Sequence, residues 1–451
     1  MYRGGGFGPR RHRGGKHDTG RIIANTGPRD PALPPPLRSQ SLLQSLTLQE
    51  AVIGGVQQSN RISEVELVTT YNWTQANEPT IKVPGRPPTY RPSRVPQSLQ
   101  EDTGVYYRDV NSAYYPPYPT APAVQAIQAE NPSFSLSSVD VFGCGNTVGS
   151  LLSFAREEER TFRFGVELLG STLFLVRKTD TPREIIGEVR GYGHAFPEAY
   201  TVWNEDVKGS VSHQRVIRYK FAGLEICVRS ECDGYLPDVA GGEEFRADHE
   251  SQEVDGLDLG QVALNMRDLG PLDPAKLNVE FGGQRIPQHA VFDLKTRSKR
   301  KTATGVSVDD FLHRLWVNQT PYFIMALHTH GRFHPEDIHV VDAAQKIKNW
   351  EAQHGPHLST LGGTLHRLSG IARSTPNGKY EIRRVGTGPL EIYSEDPAWS
   401  ALPSELRSIW GASTKVSSAS GFNEDACDRR SVDGTGSATD DDADADYLKF
   451  V

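Results

Sequence analysis

Cysteine is scarce, with four thiols in 451 residues and no Cys-x-x-Cys pair. That scarcity argues against a disulfide framework and a structural zinc site, and it points to a reducing compartment. No apolar run approaches the length of a membrane span, and the first residues carry Gly and Arg where a secretory leader would carry its hydrophobic stretch. Nucleus or cytoplasm is therefore the expected location, and the sequons at Asn72 and Asn318 are expected to stay unmodified. Also missing are the Gly-Lys-Ser/Thr of a phosphate-binding loop and a Gly-x-Ser-x-Gly nucleophile motif. The formal charge of -7 excludes little, because the acids crowd into the C-terminal tail and one internal stretch.

What is present suits a large globular core. Hydrophobic residues make up 37% of the chain, with 17 Phe and 16 Tyr, enough for one large or two ordinary domains. Residues 1–42 form an Arg/Gly/Pro-rich tail with Arg-Gly-Gly at Arg3 and Arg13. Such segments cannot bury a core, and they contact RNA through phosphates and guanidinium stacking; a solvated tail without a specific partner is the plain alternative. Residues 43–138 are expected to be an extension packing on the core, with the Pro/Tyr-rich stretch from Pro84 to Pro122 extended. A domain over 139–410 follows, interrupted by an acidic, Gly-rich insertion at about 236–283, and residues 411–451 form a disordered acidic tail.

Within that domain the spacing predicts a helix from Val148 to Ala155 and a hairpin of Thr161 to Leu168 and Ser171 to Arg177 around Gly170. Further strands are expected at Arg215 to Phe221, Leu224 to Ser230, Ala290 to Thr296 and Tyr322 to Leu327. Ser307 opens a helix through a capping box in its Asp variant, and two more helices are expected from Asp342 to Gln353 and Leu358 to Ala372. The expected fold class is mixed α/β, with β-sheets forming a cleft flanked by helices.

Two short segments carry the chemistry. Glu231 and Asp233 lie two apart on one expected strand, as do Asp293 and Lys295 on another, so each pair projects from one strand face. If the two strands converge, three carboxylates repel one another unless a divalent cation sits between them, and hard oxygen donors suit Mg²⁺ or Mn²⁺. This is the layout of metal-dependent nucleases of the PD-(D/E)xK kind, in which carboxylates hold the metal that activates water and a Lys orients or protonates. Two strand faces laced by an ordinary salt bridge are the bland alternative.

The order of neighbouring motifs adds to this. Phe142 to Leu152 (Phe-Gly-Cys-Gly-Asn-Thr-Val-Gly-Ser-Leu-Leu), Gly170 to Leu175, Gly193 to Tyr200 (Gly-His-Ala-Phe-Pro-Glu-Ala-Tyr), Glu-Cys-Asp-Gly, Asp-Leu-Lys-Thr and Leu315 to Gln319 follow in turn. Over about Asp140 to Arg373 this order resembles the decapping and exoribonuclease (DXO) family of RNA 5′-end-processing hydrolases. The resemblance implies metal ligands at Glu198, Glu231, Asp233 and Asp293, with Lys295 and Gln319 approaching the scissile phosphate and RNA backbone. It also implies substrates with triphosphate, incompletely capped or NAD-capped 5′ ends, degradation of 5′-monophosphate RNA, and in some members support of a 5′-to-3′ exoribonuclease partner. Three positions depart from the pattern. Cys144 stands where the family has an Arg, so that a contact to the RNA phosphates is either missing or supplied by Arg297 or Arg177; Asp293 replaces a Glu; Pro197 lengthens the Glu198 motif by one residue.

Other signals are set aside. His328 and His330 have no third ligand at a familiar spacing. Asp440, Asp441 and Asp444 imitate a prenyl-diphosphate metal motif, but in an acidic tail rather than on a helix. A relative that binds RNA or serves as a scaffold without catalysis, and a DNA nuclease on the same core, are the rival readings.

Overall fold

The computed structural model describes residues 39–53, 60–179, 181, 183–186, 191–241, 276–302 and 307–412. Both chain ends, with the Arg-Gly-Gly segment and the Asp440 motif, lie outside the described residues, as do 242–275, most of the expected insertion.

Eighteen strands follow one another among the described residues. The first five are β1 (Leu42–Leu46), β2 (Ser63–Thr74), β3 (Thr80–Pro84), β4 (Thr89–Tyr90) and β5 (Gln97–Ser98). Next come β6 (Val141–Cys144), β7 (Phe162–Leu169), β8 (Thr172–Arg177), β9 (Thr201–Val202), β10 (Ser210–Phe221), β11 (Leu224–Cys232) and β12 (Gly234–Tyr235). The last six are β13 (Asn278–Gly282), β14 (Val291–Ser298), β15 (Tyr322–Thr329), β16 (Arg332–Asp342), β17 (Lys379–Arg384) and β18 (Leu390–Ser394). They build two mixed sheets. The larger has eleven strands in the order β1-β18-β17-β7-β8-β6-β11-β10-β2-β3-β13, and the smaller seven in the order β5-β16-β15-β14-β12-β4-β9.

The expected hairpin is present: β7 and β8 turn through Gly170 at φ +60°, where glycine avoids the Cβ clash of the left-handed region; the strands expected at Arg215 to Phe221 and Leu224 to Ser230 fall in β10 and β11, which pair antiparallel. The helix begun by Ser307 starts as a short 3₁₀ turn, Val308–Phe311, and continues as Leu312–Asn318. Its capping box closes as expected: Asp309 N–H donates to Ser307 Oγ at 2.9 Å, and Ser307 N–H donates to Asp310 Oδ2 at 2.9 Å. The other two helices run Ala344–Gln353 and Gly355–Ser374.

Residues 43–138 depart from expectation. Rather than lying over a finished core, they supply β2, which sits inside the larger sheet between β10 and β3. Trp73 and Tyr71 from this strand are fully buried. The stretch from Pro84 to Pro122 is only partly extended, since it holds the short helix Val110–Tyr114 and the start of the helix Ala121–Glu130. Strand order in a sheet depends on pairing partners far away in sequence, which local periodicity does not encode. The described ends of the expected insertion also have roles: Pro237–Ala240 is a helical turn, and β13 pairs in parallel with β3 at the sheet edge.

One apolar core joins the helices Gly145–Ala155, Leu312–Asn318 and Gly355–Ser374 to the larger sheet. Trp316 anchors it. Its ring is buried against Phe221 and Trp350, and its Nε1–H donates to Glu351 Oε1 at 2.9 Å, so the indole's polar atom is satisfied where water is excluded. A second core packs the helix Ala121–Glu130 with Trp73, Phe142 and Trp410, and a third lies under the smaller sheet around Phe196, Phe292 and Phe333. No described helix is long and apolar enough to cross a membrane.

Candidate functional site

The chain crosses from one sheet to the other at a single residue. β11 of the larger sheet ends at Cys232, Asp233 follows, and β12 of the smaller sheet starts at Gly234. Because β12 runs antiparallel to β14 with Gly234 opposite Phe292, Asp233 falls opposite Asp293. The two segments singled out from the sequence therefore meet. Alternation puts the buried Cys232 and Leu294 on the inner side of their strands, and Glu231, Asp233, Asp293 and Lys295 on the other. Asp233 is fixed in place, since its Oδ2 accepts from the Leu294 backbone N–H at 2.7 Å.

Like charges placed this way are costly. Burial, then the nearby Asp293, pushes the Asp233 carboxyl well above the usual aspartate range. Glu231 is pushed up to about 7 by the walls around it, by Asp109 and by Asp293, with the Arg229 guanidinium opposing. The Glu231 side chain is nonetheless open to water on the groove side, so the walls and the neighbouring acids, not a dry interior, set its proton affinity. Lys295 is lowered from the ordinary lysine value by burial and by Arg297 and Arg314, although Asp293 and Asp233 pull the other way.

These acids open onto a cavity of about 390 Å³. Its walls include Asp109, Glu231, Asp233 and Asp293 together with Arg108, Arg160, Arg177, Arg229 and Arg314. Five guanidiniums among four carboxylates make a groove with charges suited both to an anion and to a cation. The arginines are held rather than free. Arg229 Nη1 donates to Pro119 O at 2.6 Å and its Nη2 lies 3.6 Å from Asp109, while Arg108 and Arg177 share Glu184 at 3.0 and 3.8 Å. β6 leads into the same wall through Cys144, Gly145 and Asn146, the first turn of the helix Gly145–Ala155. Cys144 caps that helix in a box with Thr147. A Cβ at Gly145 would meet Asn318 Oδ1 at 2.2 Å, so this turn packs tightly on the end of the helix Leu312–Asn318.

Residues 52–410 match one family model, described as a domain of unknown function, DUF8563. The chain belongs to the DUF8563 family. No curated protein matches it. Among solved structures, the chain is similar to Schizosaccharomyces pombe Rai1 in complex with 3′-FADP, at 8% identity over 78% of this chain and 99% of that one, with a TM-score of 0.49. It is also similar to Candida albicans Rai1 in complex with pU5-Mn²⁺ (11% identity, 82% and 99% coverage, TM-score 0.47) and to Kluyveromyces lactis Dxo1 in complex with manganese (8%, 80% and 97%, TM-score 0.43).

In this DUF8563 chain the expected site residues divide into two groups. Glu231, Asp233 and Asp293 line the cavity, and Arg177, one of the two candidates to stand in for the arginine replaced by Cys144, lines it with them. Arg297, the other, lies over the Phe311 ring at 5.9 Å. Glu198 is not among the residues lining that cavity; it sits on the helix Ala195–Tyr200 near Asp102, whose carboxylate accepts from the His194 and Ala195 N–H groups at the start of that helix. Burial and then Asp102 raise the Glu198 carboxyl above its usual value. Burial holds His194 below the usual histidine value, with Asp102 opposing and the charge of Lys295 lowering it further. Gln319 ends the helix Leu312–Asn318 in a left-handed conformation, φ +48°, with its Nε2 donating to Trp316 O at 2.5 Å. Its neighbour Asn318, rather than Gln319, lines the cavity. His328 packs edge-on against Tyr192 at 4.5 Å.

Sequence reasoning missed Arg229, Asp109 and Arg314. Arg229 was within reach, because it lies two before Glu231 on the same strand face. Arg314 carried no sequence signal, since it joins the acids only when its helix docks. The oxygen donors of Glu231, Asp233 and Asp293 match a divalent cation chemically, and their mutual repulsion is what an ion would relieve. As they stand, no three His, Cys, Asp or Glu side chains among the described residues are grouped to hold an ion.

Proposed function

We propose that this chain is a metal-dependent hydrolase acting on RNA 5′ ends, of the DXO type that its motif order resembles. The observation that carries the reading is the meeting of Glu231, Asp233 and Asp293, from two different sheets, in the wall of a groove that arginines also line. Glu231, Asp233 and Asp293 would hold Mg²⁺ or Mn²⁺, and a bound ion would supply a Lewis acid and lower the pKa of a water. The chain's own residues do the rest. Arg177 and Arg229, fixed by Glu184 and Asp109, draw the phosphates of a single strand into the groove and hold them against the acids. Glu198 and Lys295, which the resemblance assigns to the metal shell and the scissile phosphate, would complete the site. An RNA substrate, a nuclear or cytoplasmic site of action and a 5′-to-3′ exoribonuclease partner belong to this proposal.

Incubation with 5′-triphosphate or NAD-capped RNA and Mn²⁺ is expected to release the end group, and a Glu231→Ala/Asp233→Ala protein to release none. Equal release by both proteins would reject the assignment. A second reading, an RNA-binding relative without catalysis, is favoured by one observation: the Arg314 guanidinium already pairs with Asp293. Calorimetry separates the two, because a binding protein of this kind would take up 5′-phosphorylated RNA but no Mn²⁺.

A further inference from the structure

The acidic cluster already holds a cation of its own. Arg314, on the helix Leu312–Asn318, donates through Nη2 to Asp293 Oδ1. The guanidinium rests over the Phe311 ring, 5.9 Å from its centroid, and Arg314 and Asp293 line the cavity. Two features make this pairing easy to exchange. Only one Arg314 nitrogen engages Asp293, where a guanidinium and a carboxylate can share two parallel bonds, and the Arg314 side chain keeps 41% of its surface exposed, against 14% for Asp293. A partly exposed, one-point ion pair is weakly held. In addition, Arg314 Nε is buried and finds no acceptor among the described residues. A buried donor without a partner costs free energy, and a phosphate oxygen is the acceptor that an arginine beside such a groove fits best.

We propose that Arg314 is a displaceable counter-ion of the acidic cluster, holding Asp293 until a divalent cation takes that carboxylate and then turning its guanidinium fork onto a phosphate of the substrate. The inference rests on the metal-dependent reading above and extends it to a residue outside every motif of the resemblance. Metal and guanidinium compete for Asp293. Freed by the metal, Arg314 becomes available to the phosphate, so metal and phosphate each strengthen binding of the other, as linkage requires.

The test is calorimetric titration of Mn²⁺ into the full chain, with and without adenosine 5′-monophosphate as phosphate probe, the probe's own Mn²⁺ binding being subtracted. Arg314→Ala is expected to bind Mn²⁺ roughly 2–5-fold more tightly than the wild type, the size of a partly exposed ion pair released. In the wild type the nucleotide should tighten Mn²⁺ uptake, and in Arg314→Ala that coupling should vanish. Arg314→Lys, which keeps the charge but not the fork, should retain wild-type Mn²⁺ affinity and lose most of the coupling, which guards against a misfolded alanine variant. Unchanged or weaker Mn²⁺ binding by Arg314→Ala with an unaltered melting temperature, or intact coupling in both variants, overturns the proposal and leaves the metal site standing. No Mn²⁺ uptake by any of the three proteins overturns both.

Discussion

Glu231, Asp233 and Asp293 crowd three carboxylates into one wall of a groove, with Arg229 and Arg314 as the nearest offsetting charges. The consequence for stability has a definite sign. Burial, Asp109 and Asp293 push the Glu231 carboxyl from its ordinary value of 4.5 up to about 7, so folding raises its proton affinity. Its contribution is then present below the unfolded value and is lost as pH rises through the folded one. Metal-free Glu231→Gln should therefore melt higher than the wild type at about pH 7.5, and the gap should narrow toward about pH 5, where the folded wild type carries the proton. A thermal unfolding series in a chelator checks this, and a gap independent of pH would contradict it. The three acids were legible in the sequence because two-residue spacing on a strand fixes a shared face. Gln319 at a left-handed helix end turns its side chain back onto the Trp316 carbonyl, a turn that one-dimensional spacing does not report.

The element that positions the site is the crossing from β11 to β12. Gly234 makes it possible, since a Cβ there would meet the Phe292 ring at 2.5 Å and the Pro88 carbonyl oxygen at 2.8 Å. Gly234→Ala must push β12 away from β14 and carry Asp233 off its hydrogen bond to Leu294. A loss of about 1–3 kcal/mol is expected from overpacking of this kind. Denaturant unfolding measures it, and Mn²⁺ affinity should fall by more than in a control substitution of equal stability cost away from the groove. Wild-type affinity at that stability loss would show that the crossing does not set the acid geometry. Elements with strong local signals were readable: the Gly170 hairpin, the capping box at Ser307 and the amphipathic helices. β2 was not, because its place between β10 and β3 is decided by partners 136 and more positions away, as in the pairing of Ser210 with Thr74, and by shorter-range pairing such as Trp73 with Ile81.

At the scale of the molecule, the two sheets divide the labour. The larger supplies β11 and the wall at β6, the smaller supplies β14, and the helix Leu312–Asn318 brings Arg314 to the place where they meet. The match of the family model from residue 52 agrees with the weaving of β2 and β3 into the larger sheet, and it moves the start of the folded unit well before residue 139. That boundary was not legible in the sequence, because the Pro- and Tyr-rich composition there hides long-range strand pairing. The central claim is that acids from both sheets share one cation. A crystal soaked in Mn²⁺ and measured at the metal's absorption edge tests it directly. An anomalous peak within bonding reach of Glu231, Asp233 and Asp293, with Arg314 withdrawn from Asp293, is the predicted result; a groove without a peak, with Arg314 still bound to Asp293, would contradict it.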